Sequence, residues 1–186
     1  MDRLLRLLQK RGIPSKISKK VLGKFESVKL SKKEFWLRRG ELCNKIAFIE
    51  SGYVMGYYEL NKKKVISSIS PSGKFITDLQ AYKEDKAANM NVMALTSCEI
   101  LAIRKSDIDD LLTTNPELYR LVVDLYEDLL IEMEIRIVEY SSMTAEERLK
   151  SFLGRFKGID NIIQLSHVAD YLGISAETLS RIRAKR

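Results

Sequence analysis

KIAFIESGYVMGYYEL, Lys45–Leu60, consists of two runs of β-branched and aromatic residues broken by Ser51 and Gly52. This pattern reads as a strand, a turn and a second strand. KVISSIS (Lys64–Ser70) and VMALTSCEILAI (Val92–Ile103) extend it, with PSGK (Pro71–Lys74) as a turn between them. Between Phe25 and Ile103 no helical period separates these short, numerous runs, which predicts an antiparallel sandwich or barrel of jelly-roll type.

The period changes on either side of that region. Two short basic helices, about Asp2–Arg11 and Ser15–Lys24, precede it. After Ile103, Ser106 and Asp109 in SDID form a capping pair for a short helix, and in TNPELY Asn115 is the expected cap of a longer one with Pro116 in its first turn. Within that helix Tyr119, Val123, Tyr126, Leu130, Met133, Ile137 and Tyr140 are spaced alternately four and three apart, an a/d heptad seam. A second stripe, Leu118, Leu121, Val122, Leu125 and Leu129, runs beside it. One stripe can pack on the β-domain and leave the other for a partner, so a homodimer through paired helices is the natural reading. A helix buried on both sides within one subunit is the alternative.

TAEE supplies the next capping box, Thr144 with Glu147, and KGIDN ends the helix it opens. The chain after Tyr140 reads as a small helical unit hinged near Ser141 and Ser142. Its last stretch, LSHVADYLGISAETLSRIRAKR (Leu165–Arg186), has Ser166 as the cap of a first helix, Gly173 in a turn and Ser175 as the cap of a second. Ala169 is the small residue at the closest approach, and Val168, Leu172, Ile174, Leu179 and Ile182 form the inner faces. These positions together predict a helix-turn-helix. Its second helix then turns Glu177, Ser180, Arg181 and Lys185 outward, toward a major groove. Arg181 can chelate guanine O6/N7, Glu177 can accept from cytosine N4, and Ser180 can reach a neighbouring base. Ser166, Thr178, Arg183, Lys185 and Arg186 are assigned to phosphates, which position the protein without reading sequence. The partner implied is double-stranded DNA.

Charge agrees with a polyanionic partner. The chain carries a formal +7, and residues 1–40 hold 13 Lys/Arg against 3 Asp/Glu, whereas residues 117–143 hold 2 against 7. The N-terminal lysines could flank DNA in a dimer, but a solvated surface is their commoner explanation. Trp36 is assigned to the core. With 45% hydrophobic and 31% charged residues and no apolar run near the roughly 20 needed to span a bilayer, a cytoplasmic protein without membrane contact is expected. MDRLLRLLQKRG (Met1–Gly12) reads as an amphipathic helix rather than a cleaved signal. Cys43 and Cys98 lack metal-ligand spacing and are read as buried thiols, and His167 is the sole histidine. No metal site and no catalytic residue is expected, and a cupin-like enzyme lacks its His/Glu cluster.

The order of a β-rich domain, a long dimer-type helix and a terminal helix-turn-helix resembles the Crp/Fnr family of bacterial transcription regulators, carried by IAFIESGYVMGYY, NPEL and VADYLGISAETLSRIR. The resemblance implies an α+β fold. Residues 1–115 would be a cyclic nucleotide-binding-like jelly roll with N-terminal helices, residues 116–142 a dimerisation helix and hinge, and residues 143–186 a DNA-binding domain without the β-hairpin wing common beyond the recognition helix. Glu177, Ser180 and Arg181 match the E-x-x-S-R pattern of the Fnr-like branch, which implies a pseudo-palindromic site with TTGA-like half-sites. Cyclic nucleotide binders place Gly-Glu and Arg-Ser/Thr pairs in the phosphate cassette. Here Thr77-Asp78 and Ala88-Asn89 occupy those places, and Met133 and Glu134 stand where adenine-contacting hydroxyls are expected. Loss of that arginine removes a charge-assisted contact of about 1.5–3 kcal/mol, so cAMP is expected not to bind tightly and no cofactor is assigned. The motifs of iron-sulfur and haem sensors are absent as well. The resemblance brings in RNA polymerase and another small-molecule effector as further partners. A ligand-binding regulatory module whose C-terminal helices dock on protein is the competing reading.

Overall fold

The computed structural model describes residues 1–61, 63–156 and 158–184, with Asp160 described by its backbone alone. Among the described residues eight strands form two four-stranded antiparallel sheets. The first, in the order β1-β8-β3-β6, joins β1 (Glu26–Leu30), β8 (Cys98–Arg104), β3 (Lys45–Ser51) and β6 (Phe75–Ile76). The second, in the order β2-β7-β4-β5, joins β2 (Phe35–Leu37), β7 (Met90–Ala94), β4 (Tyr53–Leu60) and β5 (Lys63–Pro71). The expected jelly-roll architecture is therefore present.

Lys45–Leu60 forms two strands that do not pair with each other. β3 pairs with β6 and β8, whereas β4 pairs with β5 and β7, so the chain changes sheet at Gly52. That corner requires glycine. Its φ is +90°, and a Cβ there would lie 2.6 Å from both Cys98 Sγ and the Ser97 carbonyl oxygen.

Both sheets are apolar on both faces because both faces are covered. Ala47 and Ile49 of β3 point into the roll with Ile100, Val54 and Val92, while Phe48 points outward. Phe48 meets Leu101 and Ile103 of β8 under the helices α1 (Asp2–Lys10) and α2 (Ser15–Leu22). Glu50, 8% exposed, accepts from the Arg3 and Leu4 backbone N–H groups at the first turn of α1. Burial works against the charged Glu50 carboxyl, but those two donors hold it below its ordinary value. Each fully buried Leu or Phe in this outer layer contributes about 1.5–3 kcal/mol. Trp36 packs against the roll interior as expected, and Cys43 and Cys98 are buried thiols.

Three expected caps are displaced. The helix α4 (Lys105–Thr114) starts from Arg104 without a side-chain cap, so Ser106 lies inside its first turn, because β8 runs directly into the helix. Asn115 closes α4 instead of opening the next helix: its Nδ2 donates to the Leu111 carbonyl and its own carbonyl accepts from Leu118. The helix α5 (Leu118–Ser142) begins after the turn at Pro116 and Glu117. The helix α7 (Leu165–Leu172) starts from Gln164 without a side-chain cap, and Ser166 stands exposed in its first turn. By contrast, Thr144 and Glu147 form the reciprocal capping box of α6 (Ala145–Arg155).

The reading of Phe25–Ile103 as strands with no helix between them is corrected by a short helix α3 (Leu79–Glu84), capped by the Asp78 side chain and leading toward β7, and α8 (Ala176–Ala184) ends the described chain. Among the described residues no helix is long and apolar enough to cross a membrane.

Candidate functional site

The pair α7–α8 is built as the inner-face residues require. Gly173 sits in the left-handed region at φ +65°, and the Ile174 N–H reaches back to the Ala169 carbonyl. Ser175 caps α8 by accepting from the Thr178 N–H at 3.1 Å. Val168, Ala169, Leu172 and Leu179 are buried in the angle between the helices. Glu177, Ser180 and Arg181 are exposed together, one turn apart on the outer side of α8. Glu177 is held below the usual carboxylate range by backbone N–H donation within its own helical turn, then by Ser175, with Arg181 adding to the effect. The Arg181 guanidinium donates to Thr178 Oγ1 at 3.3 Å, and Thr178 is half-buried between Ser175 and Arg181. Arg183 is exposed, while Lys185 and Arg186 lie outside the described residues.

On α5 the two stripes have separate fates. Leu118 and Leu121 are buried against the outer face of the first sheet and Val122 and Leu125 are half-buried, whereas Leu129 at the end of the stripe is exposed. Every residue of the heptad seam is exposed, from 42% for Tyr140 to 66% for Ile137. The N-terminal helices hold α5 by charge, since Arg11 reaches Asp124 at 3.4 Å and also pairs with Asp128.

In the cassette region Thr77, Asp78 and Ala88 lie in one neighbourhood held by hydrogen bonds and packing. Asp78, 2% exposed, caps α3 by accepting from Ala81 N–H at 3.2 Å. It also accepts from Asn89 N–H at 2.7 Å and Met90 N–H at 3.2 Å. Thr77 Oγ1 donates to the Lys45 carbonyl. Ala88 is buried in the same cluster as Tyr82 and Met90, with Trp36 and Tyr58 packed against it, whereas the Asn89 side chain faces out. Burial, then the Asp78 charge, pushes the Tyr58 phenol up, and burial pushes Tyr82 up to about 12. Met133 and Glu134 are exposed on α5. Among the described residues no group of His, Cys, Asp and Glu is placed to hold a metal ion.

The end of α5 carries residues that the sequence pattern did not single out. Glu139, 6% exposed, accepts from Arg155 at 2.6 Å and from the Ser151 hydroxyl, which joins α5 to α6. Arg136 reaches back to β5 and its guanidinium lies 4.4 Å from the Tyr171 ring. The outer face of the second sheet, through Met55, Tyr57, Ile66 and Ile69, shares one apolar cluster with Leu149, Phe152, Val168, Tyr171 and Leu172.

Residues 27–115 match the cyclic nucleotide-binding domain family. The fold is that of Crp/Fnr-type regulators. It is similar to the c-di-GMP-responsive global regulator CLP of Xanthomonas campestris, with a TM-score of 0.73 and 15% identity over 92% of this chain and 91% of that one. FixK2 of Bradyrhizobium japonicum gives 0.74 and 16% over 87% and 83%. A CooA mutant of Carboxydothermus hydrogenoformans gives 0.70 and 20% over 98% and 83%. No curated protein matches the chain significantly.

Proposed function

We propose that this chain, with its cyclic nucleotide-binding-type domain and Crp/Fnr-type fold, is a transcription regulator that binds DNA as a homodimer on an inverted repeat. One observation carries the reading: Glu177, Ser180 and Arg181 stand exposed together on the outer side of α8 in a Gly173-turned helix pair. A major groove admits such a helix, and two of them one DNA turn apart, about 34 Å, would read two half-sites. The seam, exposed in one chain from Tyr119 to Ile137, supports a second copy as the partner that supplies the other helix. Arg183 and the outer surface of α8 supply phosphate contacts. RNA polymerase is a further protein partner of a regulator of this type.

The cassette supports a sensor that does not use cAMP. A cyclic phosphate would meet the Asp78 carboxylate, with Ala88 and Asn89 in place of an Arg-Ser pair, and Asp78 already holds three backbone N–H groups. The effector is then another small molecule, or the roll acts as a fixed scaffold.

The test is fluorescence anisotropy with a duplex carrying two inverted TTGA-like half-sites and with a scrambled duplex, at two salt concentrations. The palindrome binds more tightly, and Arg181→Ala lowers that preference by about 1–3 kcal/mol. Absence of binding even at low salt sinks the DNA reading and leaves the terminal helices as a protein-docking element.

A further inference from the structure

Strands β4 and β5 slip register between Gly56 and Tyr57. Gly56 faces Ser68 and Tyr57 faces Ile66, so Ser67 is an extra residue in β5 with no partner across the ladder. A bulge leaves main-chain groups free of the ladder and turns them to other uses. Here the carbonyls of Ile66 and Ser67 both accept from Arg136 on α5, Nη2 to Ile66 at 3.1 Å and Nη1 to Ser67. An arginine fork suits two adjacent carbonyls better than a lysine point charge does.

The other face of the same guanidinium covers the Tyr171 ring of α7 at 4.4 Å, and it also lies 5.5 Å from the Tyr140 ring. Tyr140 in turn donates to the Tyr171 carbonyl. Arg136 thus touches the roll, the long helix and the terminal unit at once, within a single chain. The bulge is anchored from inside the roll as well. Ser67 Oγ donates to the Gly56 carbonyl at 3.0 Å, and Gly56 has no room for a side chain because Met90 Cε and Ser68 Oγ fill that space. Met90 is also one of the residues whose N–H is held by Asp78.

We infer that the β5 bulge at Ser67 is a socket for Arg136, and that this contact makes Arg136 the positioning residue that sets where the α6–α8 unit stands relative to the α5 seam. For its consequence at DNA the inference rests on the reading of α8 as a recognition helix. The spacing of two such helices in a dimer is then fixed by each chain's own roll as well as by the paired α5 helices.

The full-length chain is compared with Arg136→Met, which keeps the apolar stem, and with Arg136→Lys, which keeps the charge but loses the fork. Hydrogen exchange by mass spectrometry reads the α7 peptides, with β3 and β8 peptides as the control for global folding. Arg136→Met raises α7 exchange by about ten-fold or more while β3 and β8 are unchanged, and Arg136→Lys does not restore the wild-type rate. Where Arg136→Met loses protection everywhere, Arg136→Lys decides by the same criterion. Unchanged α7 exchange overturns the socket. In parallel, duplexes with the two half-sites at a series of spacings are titrated. Wild type favours one spacing, the variant favours none as strongly, and binding to an isolated half-site is unaltered. An unaltered spacing preference overturns the positioning role. A wild-type chain that binds no duplex refutes the DNA reading alone, since the exchange measurement still decides the socket.

Discussion

The ring of Tyr140 occupies the space that a side chain on Gly173 would need: a Cβ at Gly173 would stand 2.9 Å from Tyr140 Cε1. The last residue of the α5 seam is thereby packed against the turn of the terminal helix pair, and its hydroxyl donates to the Tyr171 carbonyl. Gly173 also has φ +65°, which costs a residue with a Cβ about 1–2 kcal/mol. Gly173→Ala is expected to destabilise α7–α8 by at least that much, measured by denaturant unfolding followed at α7. In a Tyr140→Ala background the steric part disappears and the conformational part stays, so the two causes separate in a double-mutant cycle.

How much of this was legible from sequence differs by the range of the interaction. Gly173 and the Thr144–Glu147 box are local, and their neighbours in sequence are enough to place them, whereas Gly52 reads locally as a turn but its change of sheet depends on Ser97 and Cys98 far along the chain. The seam was legible because its period is carried by seven residues of one helix. Ser106, Asn115 and Ser166 carry the right chemistry for caps, but β8 runs straight into α4, Asn115 is used by the helix before it, and Gln164 precedes α7. Arg136 was not legible at all. Its partners in β5 are 69 and 70 residues away, they are backbone carbonyls of no particular residue type, and they are free only because of a bulge. Asp78 was found, yet its role was hidden for the same reason, since two of its three donors come from the far side of α3.

The seam makes a prediction that does not involve DNA. Leu130 lies near its middle and is 64% exposed in one chain. In a symmetric helix pair Leu130→Lys places two cations at one apolar contact. Taking such charges out of water costs several kcal/mol, so the dimer dissociation constant should rise by about a hundred-fold or more. Sedimentation velocity checks this. A wild-type chain that is monomeric at all concentrations removes the premise.

Asp78 separates a structural cassette from a ligand-binding one. Asp78→Asn replaces one acceptor oxygen by a donor that faces backbone N–H groups, and it should cost about 1–3 kcal/mol of stability in the absence of any ligand. Added cAMP at about 1 mM should leave the thermal midpoint of wild type unmoved. A site with a dissociation constant of about 10 µM would instead contribute about 2.7 kcal/mol under those conditions. A clear upward shift of the midpoint defeats the closed-cassette reading.

Arg183 and Arg181 differ in what their removal should change. Arg181 stands with Glu177 and Ser180, whereas Arg183 is exposed two residues on, about 200° around α8. Arg183→Ala should therefore weaken binding uniformly across sequences and lower the salt slope by about one, leaving the ratio between palindrome and scrambled duplex intact. Anisotropy titrations at several salt concentrations measure both quantities. A changed ratio with an unchanged slope would make Arg183 a base reader instead.

His167 is expected to make the docking of α7 on the roll sensitive to acid. It is the only histidine of the chain, half-buried on α7, and its Nδ1 is buried with no hydrogen-bond partner among the described residues. Burial depresses its pKa below the ordinary 6.5, the Lys64 charge from β5 lowers it further, and Asp170 on α7 opposes both. The folded imidazole thus binds its proton less readily than the unfolded one. Stability is full above the unfolded pKa of about 6.5, and it is lost progressively as pH falls from there through the depressed folded value. Because the penalty on a protonated imidazole arises where α7 is buried beside Lys64 of β5, protection of α7 amides should fall with acid before that of β3 and β8. His167→Gln, which stays neutral, should flatten this dependence, and removing the Lys64 cation by Lys64→Gln should weaken it. Direct titration by NMR is unambiguous with a single histidine, and a pKa at or above the ordinary value would defeat the prediction.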